Sequence, residues 1–360
     1  MWRYLPLLPI HLPGAANPGE TANILRGLCS VGNTPLIRCS DRLTQDVGAA
    51  EVWVKDEGRN PSASFKDRAS SLVALKAALE NRPVVSTAST GNAAAALAFA
   101  SACLQRPCII FVPGSAPEAK RAQLLVYGAK VVLVEGTYDD AFDLCGLACE
   151  KYGWYCRSTG VNPFTVEGKK TVSFELCEQL KARRANTDLT MEFEAPDVIV
   201  VSVGDGNIIS GVHKGLKELL AMGLIKKMPA IIGVQAEGSA SIAKAWERKA
   251  DLKKEALPVI DAVTIADSIE AGLPRDPVRA VEAASQTPGG AYVTVNDEEI
   301  LAAIPDLARN TGVFGEPAAS TALAGLRKAA KKGLIPKGSV VVMISTGNGL
   351  KDINSAKKSV

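Results

Sequence analysis

Asn60-Pro61-Ser62-Ala63-Ser64-Phe65-Lys66-Asp67-Arg68 follows Glu51-Val52-Trp53-Val54-Lys55-Asp56-Glu57, and the junction of these two stretches decides the fold. The earlier stretch alternates apolar and polar side chains, which is the period of a strand. Gly58-Arg59-Asn60-Pro61 breaks it, and Ser62 or Ser64 is placed to cap a helix beginning near Asp67. Lys66 therefore stands at a strand-to-helix turn among small residues, where the helix dipole disfavours a cation. Such a lysine is either an ordinary first-turn residue or a nucleophile. Buried, with a lowered pKa, it can form a Schiff base with an aldehyde cofactor.

Working outward, the chain alternates short apolar strands with longer helices. Residues 1–40 read as irregular, with a short helix near Ala22–Cys29. Strands are predicted at Val84–Ala88, Cys108–Val112 and Lys130–Val134, each followed by a helix: Asn92–Cys103, Ala116–Tyr127 and Asp139–Tyr152. A second set has helix Glu167–Arg183, strand Asp197–Ser202, helix Ile208–Ala221, strand Ala230–Gln235 and a last strand Ser339–Ile344. Helices Ser241–Lys249, Asp297–Thr311 and Ala318–Lys332 lie between, and Arg183–Pro196 and Asp251–Asp261 read as exposed loops. This alternation predicts parallel β-α-β units. It gives a fold of two α/β domains, residues 51–160 the smaller and residues 1–50 with 161–360 the larger, with a ligand crevice at the carboxyl ends of the strands.

Composition narrows the function. With 47% hydrophobic and 22% charged residues the chain is an ordinary globular one that can bury a large core. A net charge of +3 without a stripe of basic and aromatic residues predicts neither a nucleic-acid nor a membrane partner. No apolar run is long enough to cross a bilayer. The start, Leu5 to Pro13, carries three prolines and is a poor signal peptide, so a cytoplasmic protein is expected. The eight cysteines include no C-x-x-C pair, and only two histidines, His11 and His213, are present. Cys145 and Cys149 share a helix face, but scattered thiols read as core residues of a reducing compartment, with no metal site expected.

Five small motifs occur in one order: Asn60 to Arg68, Ser89-Thr90-Gly91-Asn92, Gly204-Asp205-Gly206-Asn207, Gly315-Glu316-Pro317, and Ser345-Thr346-Gly347-Asn348-Gly349. Together they resemble the threonine synthase branch of the fold-type II (tryptophan synthase beta-like) enzymes that use pyridoxal phosphate. The resemblance runs from Trp2-Arg3-Tyr4 and Gly32-Asn33-Thr34-Pro35-Leu36 to Asp352. It implies two three-layer α/β domains, a homodimer, and an enzyme of amino-acid metabolism that eliminates or replaces a group on an amino-acid substrate. Lys66, beside Phe65, is the implied Schiff-base lysine. Gly204, Asp205, Gly206 and Asn207 are implied to hold the cofactor phosphate on backbone N–H groups at a helix start. Asp205 is expected to turn its side chain away. Asn92 is implied at the ring oxygen and Thr346 at the ring nitrogen, and a hydroxyl there suits elimination better than transamination. Ser89, Thr90, Gly91 and Asn162 are the implied substrate contacts, while Glu316 would tune the ring or hold its loop.

The substrate side departs from that pattern. Threonine synthases usually carry N-S-V-N-P-x-R where this chain has Thr159-Gly160-Val161-Asn162-Pro163-Phe164-Thr165. The lost arginine would be a bidentate contact to the phosphate of O-phosphohomoserine. Ser62-Ala63 replaces Thr-Gly, and Ala93 to Ala96 replaces an expected serine. Three enzyme readings follow: threonine synthase with relocated phosphate ligands, a serine or threonine dehydratase, or a β-replacement enzyme like cysteate or cysteine synthases. A scaffold without activity is the reading that the presence of Lys66 argues against.

Overall fold

A computed structural model describes residues 1–13, 18–114, 118–184 and 192–360. Within the described residues the strands are β1 (Leu36–Arg38), β2 (Glu51–Asp56), β3 (Val85–Ala88), β4 (Cys108–Pro113), β5 (Lys130–Val134), β6 (Tyr155–Cys156), β7 (Val198–Ser202), β8 (Ala230–Ala236), β9 (Ala291–Val295) and β10 (Val340–Ser345). The chain divides into two compact units: Met1–Asn33 with Asn60–Lys169, and Thr34–Arg59 with Lys170–Val360.

The smaller unit carries the sheet β5-β4-β3-β6, parallel throughout. Helices Lys66–Leu79, Asn92–Cys103 and Phe164–Lys169 pack together beside it. Its main core joins Trp2, Leu12, Leu25 and Leu28 to Leu72, Leu75, Leu97 and Ile110. That burial explains why residues 1–33 belong here and not, as expected, with the larger unit: the N-terminal apolar residues cover the helices that follow Lys66 and Asn92.

The larger unit carries the sheet β1-β2-β10-β7-β8-β9, parallel except for the edge strand β1. The strand that precedes Lys66 in sequence is part of this sheet, pairing with β1 and β10, so residues 51–59 fall in the larger unit and not the smaller. Successive residues of β10 face opposite ways: Val341 and Met343 enter a core with Leu323 and Leu326 of helix Pro317–Lys331, while Val340 and Val342 pack with Trp53 and Leu180. Both faces are covered, which is why the strands are continuous apolar runs.

The predicted helix Glu167–Arg183 is two helices, Phe164–Lys169 and Thr171–Arg183, joined at Lys170. The break falls beside Gly168, whose Cα presses on the backbone of the helix that Lys66 begins: a Cβ there would lie 2.1 Å from the Arg68 carbonyl oxygen. The predicted start of helix Ala116–Tyr127 and the middle of the predicted loop 183–196 lie outside the described residues; helix Glu118–Val126 is present.

Candidate active site

In the smaller unit Lys66 is the first residue of its helix, half-buried, with Phe65 fully buried before it. No side chain caps the helix at Phe65, but the Ser64 hydroxyl, one of the two the sequence offered, accepts from the Lys66 N–H at 3.4 Å. The Ser62 hydroxyl is buried without a hydrogen-bond partner. Instead the Ser62 N–H donates to the Asp67 carboxylate at 2.7 Å. The turn is tightened by Ala63, at φ +65, and tied to the N-terminal segment by the Asn60 side chain, which accepts from the Gly32 N–H at 3.0 Å.

Loops after β3 and β6 flank this helix start. These strands are neighbours, with Ser86 opposite Cys156, so the loops emerge at the same sheet edge. After β3, the Ser89 hydroxyl accepts from the Gly91 N–H at 3.2 Å, Thr90 is half-buried, and Gly91 is the cap of helix Asn92–Cys103. Asn92 is therefore the first helical residue and is buried. After β6, Asn162 ties down its own turn: Nδ2 donates to the Cys156 carbonyl at 2.8 Å and Oδ1 accepts from the Phe164 N–H at 3.0 Å. Thr165 is fully buried, and its hydroxyl donates to the Asn162 carbonyl at 2.7 Å.

Arg157 is a member of this group that sequence reasoning passed over. It is 1% exposed, its Nε donates to Ser70 Oγ at 3.0 Å and its Nη1 to Thr159 Oγ1 at 3.3 Å. Ser70 lies one helical turn after Lys66. A guanidinium is thus fixed beside the helix that Lys66 begins and on the turn that carries the rewritten positions.

In the larger unit the glycine turn follows β7, and Thr346 follows β10, the adjacent strand. Gly206 has φ +90, and a Cβ on it would lie 2.6 Å from both the Ala280 Cβ and the Asp276 carbonyl oxygen; one on Gly204 would lie 2.7 Å from the Ile269 Cα. No other residue fits either position without backbone movement. Gly206 caps helix Asn207–Ala221 with no side-chain cap, so the N–H groups of its first turn have no intrahelical acceptor. The Asp205 carboxylate accepts from the Arg275 N–H at 3.2 Å, and Asn207 donates to Asp276 at 2.8 Å. At the carboxyl ends of β7 and β10, Ser202 Oγ and Ser345 Oγ are buried without hydrogen-bond partners. Thr346 is 5% exposed, and Glu316 faces the next residue so closely that a Cβ on Gly347 would lie 2.3 Å from its Oε1.

These features fit pyridoxal phosphate. A glycine cradle opens a helix, orphaned hydroxyls stand at the strand ends beside it, and a lysine sits at the start of another helix. The larger unit also holds a buried pair that no motif announced. Lys55 Nζ lies 2.6 Å from Glu175 and also donates to the Thr34 carbonyl and Gln179, while Glu175 accepts from the Thr34 N–H at 2.9 Å.

Comparison with known proteins agrees with this reading of the fold. A family model described as pyridoxal-phosphate dependent enzyme matches residues 29–347. The chain is 39% identical to a threonine synthase of Methanocaldococcus jannaschii, over 99% of this chain and 82% of that protein. It is 38% identical to one from Halalkalibacterium halodurans, over 91% and 85% respectively. Among solved structures it is similar to a tomato (Solanum lycopersicum) threonine deaminase, with a TM-score of 0.75, 22% identity and coverage of 98% and 96%, and to maize serine racemase, with a TM-score of 0.75, 22% identity and coverage of 94% and 95%. At that identity the structures speak for the fold alone.

Proposed function

The chain belongs to the family of pyridoxal-phosphate dependent enzymes, and we propose that within it the protein is a lyase of the threonine synthase type that releases phosphate from O-phosphohomoserine and forms threonine. Pyridoxal phosphate is its cofactor, and it supplies the electron sink for charge developed at the substrate α-carbon. Lys66 Nζ would hold the cofactor and then carry protons among the substrate carbons: off Cα, off Cβ so that phosphate is expelled from Cγ, then onto Cγ, and back to Cα as water adds its hydroxyl at Cβ, the second proton of that water leaving with the phosphate. Gly204 to Asn207 would offer N–H groups to the cofactor phosphate, Thr346 would partner the ring nitrogen and Asn92 the ring oxygen, and Phe65 would support the lysine. Ser89, Thr90 and Gly91 offer hydroxyls and N–H groups to the substrate carboxylate, and Asn162 fixes the turn beside them. Homodimeric assembly follows from the family resemblance. Free cysteines at positions 29, 39, 103, 108, 145, 149, 156 and 177 suit a reducing, cytoplasmic location.

The observation that carries the phosphorylated substrate is Arg157, a buried guanidinium held at Thr159 and one turn from Lys66. It restores, eight residues earlier, the fork missing at Thr165. Lys170, another candidate cation, is spent on Glu218 at 2.9 Å. A second reading is elimination or β-replacement on an unphosphorylated amino acid. It is favoured by the full burial of Thr165, which presents no charge at all. A substrate panel separates the two. Phosphate and threonine from O-phosphohomoserine support the first; 2-oxobutanoate from threonine or pyruvate from serine, with O-phosphohomoserine inert, would replace it with the second. Borohydride reduction and peptide mapping should place the pyridoxyl group on Lys66, and a label on another lysine would remove the site assignment.

A further inference from the structure

Three thiols meet in the smaller unit at a place the proposed reaction does not use. Helix Tyr138–Tyr152 carries Cys145 and Cys149, four residues apart and so on one face. Cys156 ends β6, pairs with Ser86 of β3 and completes the group. All three Sγ atoms lie within 4.8 Å of one another, the one such group of metal-ligating side chains among the described residues. Cys145 is fully buried, Cys149 is buried and Cys156 half-buried. The pair on the helix is visible in the sequence as half a site; the third member comes from a two-residue strand that the sequence does not announce.

We propose that Cys145, Cys149 and Cys156 form a binding site for a thiophilic d10 metal ion, of the Zn2+ or Cu+ kind. Sulfurs bound at about 2.3 Å to one zinc ion stand roughly 4 Å apart, so the triangle needs less than about 1 Å of closure. Three sulfur ligands with no imidazole or carboxylate among them select soft ions over Mg2+ or Ca2+. Supporting groups are in place. Ser86 Oγ lies 3.4 Å from Cys145 Sγ, where a hydroxyl can hydrogen-bond a thiolate, and its own proton is otherwise given to the Ile109 carbonyl at 2.8 Å. Ala88, Phe111 and Ala141 pack around the buried pair, with Phe142 and Trp154 at the margin. Such an apolar shell excludes water from the ion and strengthens its attraction to thiolates.

An entering ion binds the sulfurs as thiolates and releases their protons to solvent. Occupancy would also stiffen the turn after β6, because the Cys156 carbonyl is the acceptor of Asn162.

The test uses the reduced, cofactor-loaded protein after dialysis against a chelator. Cd2+ is titrated in, and thiolate-to-metal charge transfer is followed in the ultraviolet. One equivalent should saturate the band, Zn2+ should compete for it, and the thiols reactive towards a disulfide reagent under mild denaturation should fall by three. Buffered Cu+ in a parallel titration decides which of the two ions binds more tightly. In Cys156→Ser the apparent affinity should drop by more than the 10–100-fold expected for loss of an outer-shell partner. Cys29→Ser, which removes an exposed thiol elsewhere, should leave the titration unchanged. A band that fails to form at one equivalent overturns the proposal and leaves three core thiols. A band that persists in the Cys145→Ser, Cys149→Ser, Cys156→Ser triple variant overturns it equally. Should the triple variant not fold, the stoichiometry and thiol count of the unaltered protein still decide.

Discussion

Two turns in this protein, each joining a strand to a helix, are built in opposite ways. Gly204–Asn207 is shaped by the absence of side chains: Gly204 and Gly206 leave no room for a Cβ, and the backbone itself is the working surface. Arg157–Thr165 is shaped by side chains: Arg157 on Ser70 and Thr159, Asn162 on its neighbours' backbone, Thr165 on Asn162. A turn whose backbone does the binding has nothing to exchange. A turn made by side chains can trade one polar group for another and still close. That difference fits the departures from the threonine synthase pattern at Thr159, Gly160 and Thr165; those at Ser62-Ala63 and Ala93 to Ala96 lie outside both turns.

The comparison breaks first where the larger unit itself relies on side chains. Glu175→Leu takes the carboxylate away from the buried Lys55 ammonium, and should cost about 3–5 kcal/mol in denaturant unfolding. Lys55→Met combined with Glu175→Leu should recover most of that loss, because neither member of the pair is then left charged without the other. Simple addition of the two single losses would mean that the pair is not coupled.

Gly206→Ala comes next. A left-handed φ costs an alanine about 1–2 kcal/mol, and crowding against Asp276 and Ala280 adds about 1–3 kcal/mol. Pyridoxal phosphate, followed by its visible absorbance, should dissociate more readily as well. Gly160→Ala, at φ +80 on the exposed side-chain-built turn, should show the conformational cost alone. Equal losses at 160 and 206 would erase the distinction between the two turns.

A smaller effect is expected from His213, on the helix that the glycine turn opens. It is buried, its Nε2 has no hydrogen-bond partner, and burial, then Lys217, push its pKa down to about 4 against a partial upward pull from Glu282. The unfolded chain binds this proton below about pH 6.5, whereas the folded one resists until about pH 4. Stability should therefore fall as pH drops through that window, by on the order of 2 kcal/mol at pH 5. His213→Gln should flatten this slope; an unchanged slope would assign acid sensitivity to other groups.

What was legible in the sequence divides along the same line. Helix Asn92–Cys103 and strand Lys130–Val134 stand where the residue pattern puts them, since an alanine run and a β-branched run each admit one local answer. The glycine turn announces itself because a turn needing positive φ or a close approach leaves glycine as a trace, whereas the turn before Lys66 holds its positive φ at Ala63 and is legible from its Ser-Phe-Lys motif. Cys145 and Cys149 were visible as a pair, but β6 is two residues long and two residues have no period. Strand β9, Ala291–Val295, follows Gly289-Gly290 and carries a β-branched signal that the reading passed over. Arg157 and Lys55 were not legible as site residues. A cation in a sequence reads as solvated surface, and what buries these two comes from Ser70 and Glu175, 87 and 120 residues away.

Arg157 supplies the smallest and most discriminating prediction. Arg157→Lys keeps a positive charge but loses the planar fork, so it should raise the KM for O-phosphohomoserine about tenfold, roughly 1.4 kcal/mol and so less than the 1.5–3 kcal/mol of a whole charge-assisted contact, with kcat changed less. Inhibition by inorganic phosphate should weaken in parallel, a readout that a purely structural arginine would not move. Arg157→Met should weaken both further. Because the residue is buried, each variant needs its unfolding midpoint measured beside its kinetics, and the Lys and Met forms should differ in KM more than in stability. An arginine reinstated at position 165 would not serve as the converse test. Thr165 is fully buried with its hydroxyl on the Asn162 carbonyl, so Thr165→Arg disrupts the turn before it can hold an anion. A folded Arg157→Lys protein with unaltered KM and unaltered phosphate inhibition would remove Arg157 from substrate binding. Arg68 and Lys169, the other fully buried cations of the smaller unit, would be the next to substitute, and the side-chain-built turn would then be a support for the site and not part of its specificity.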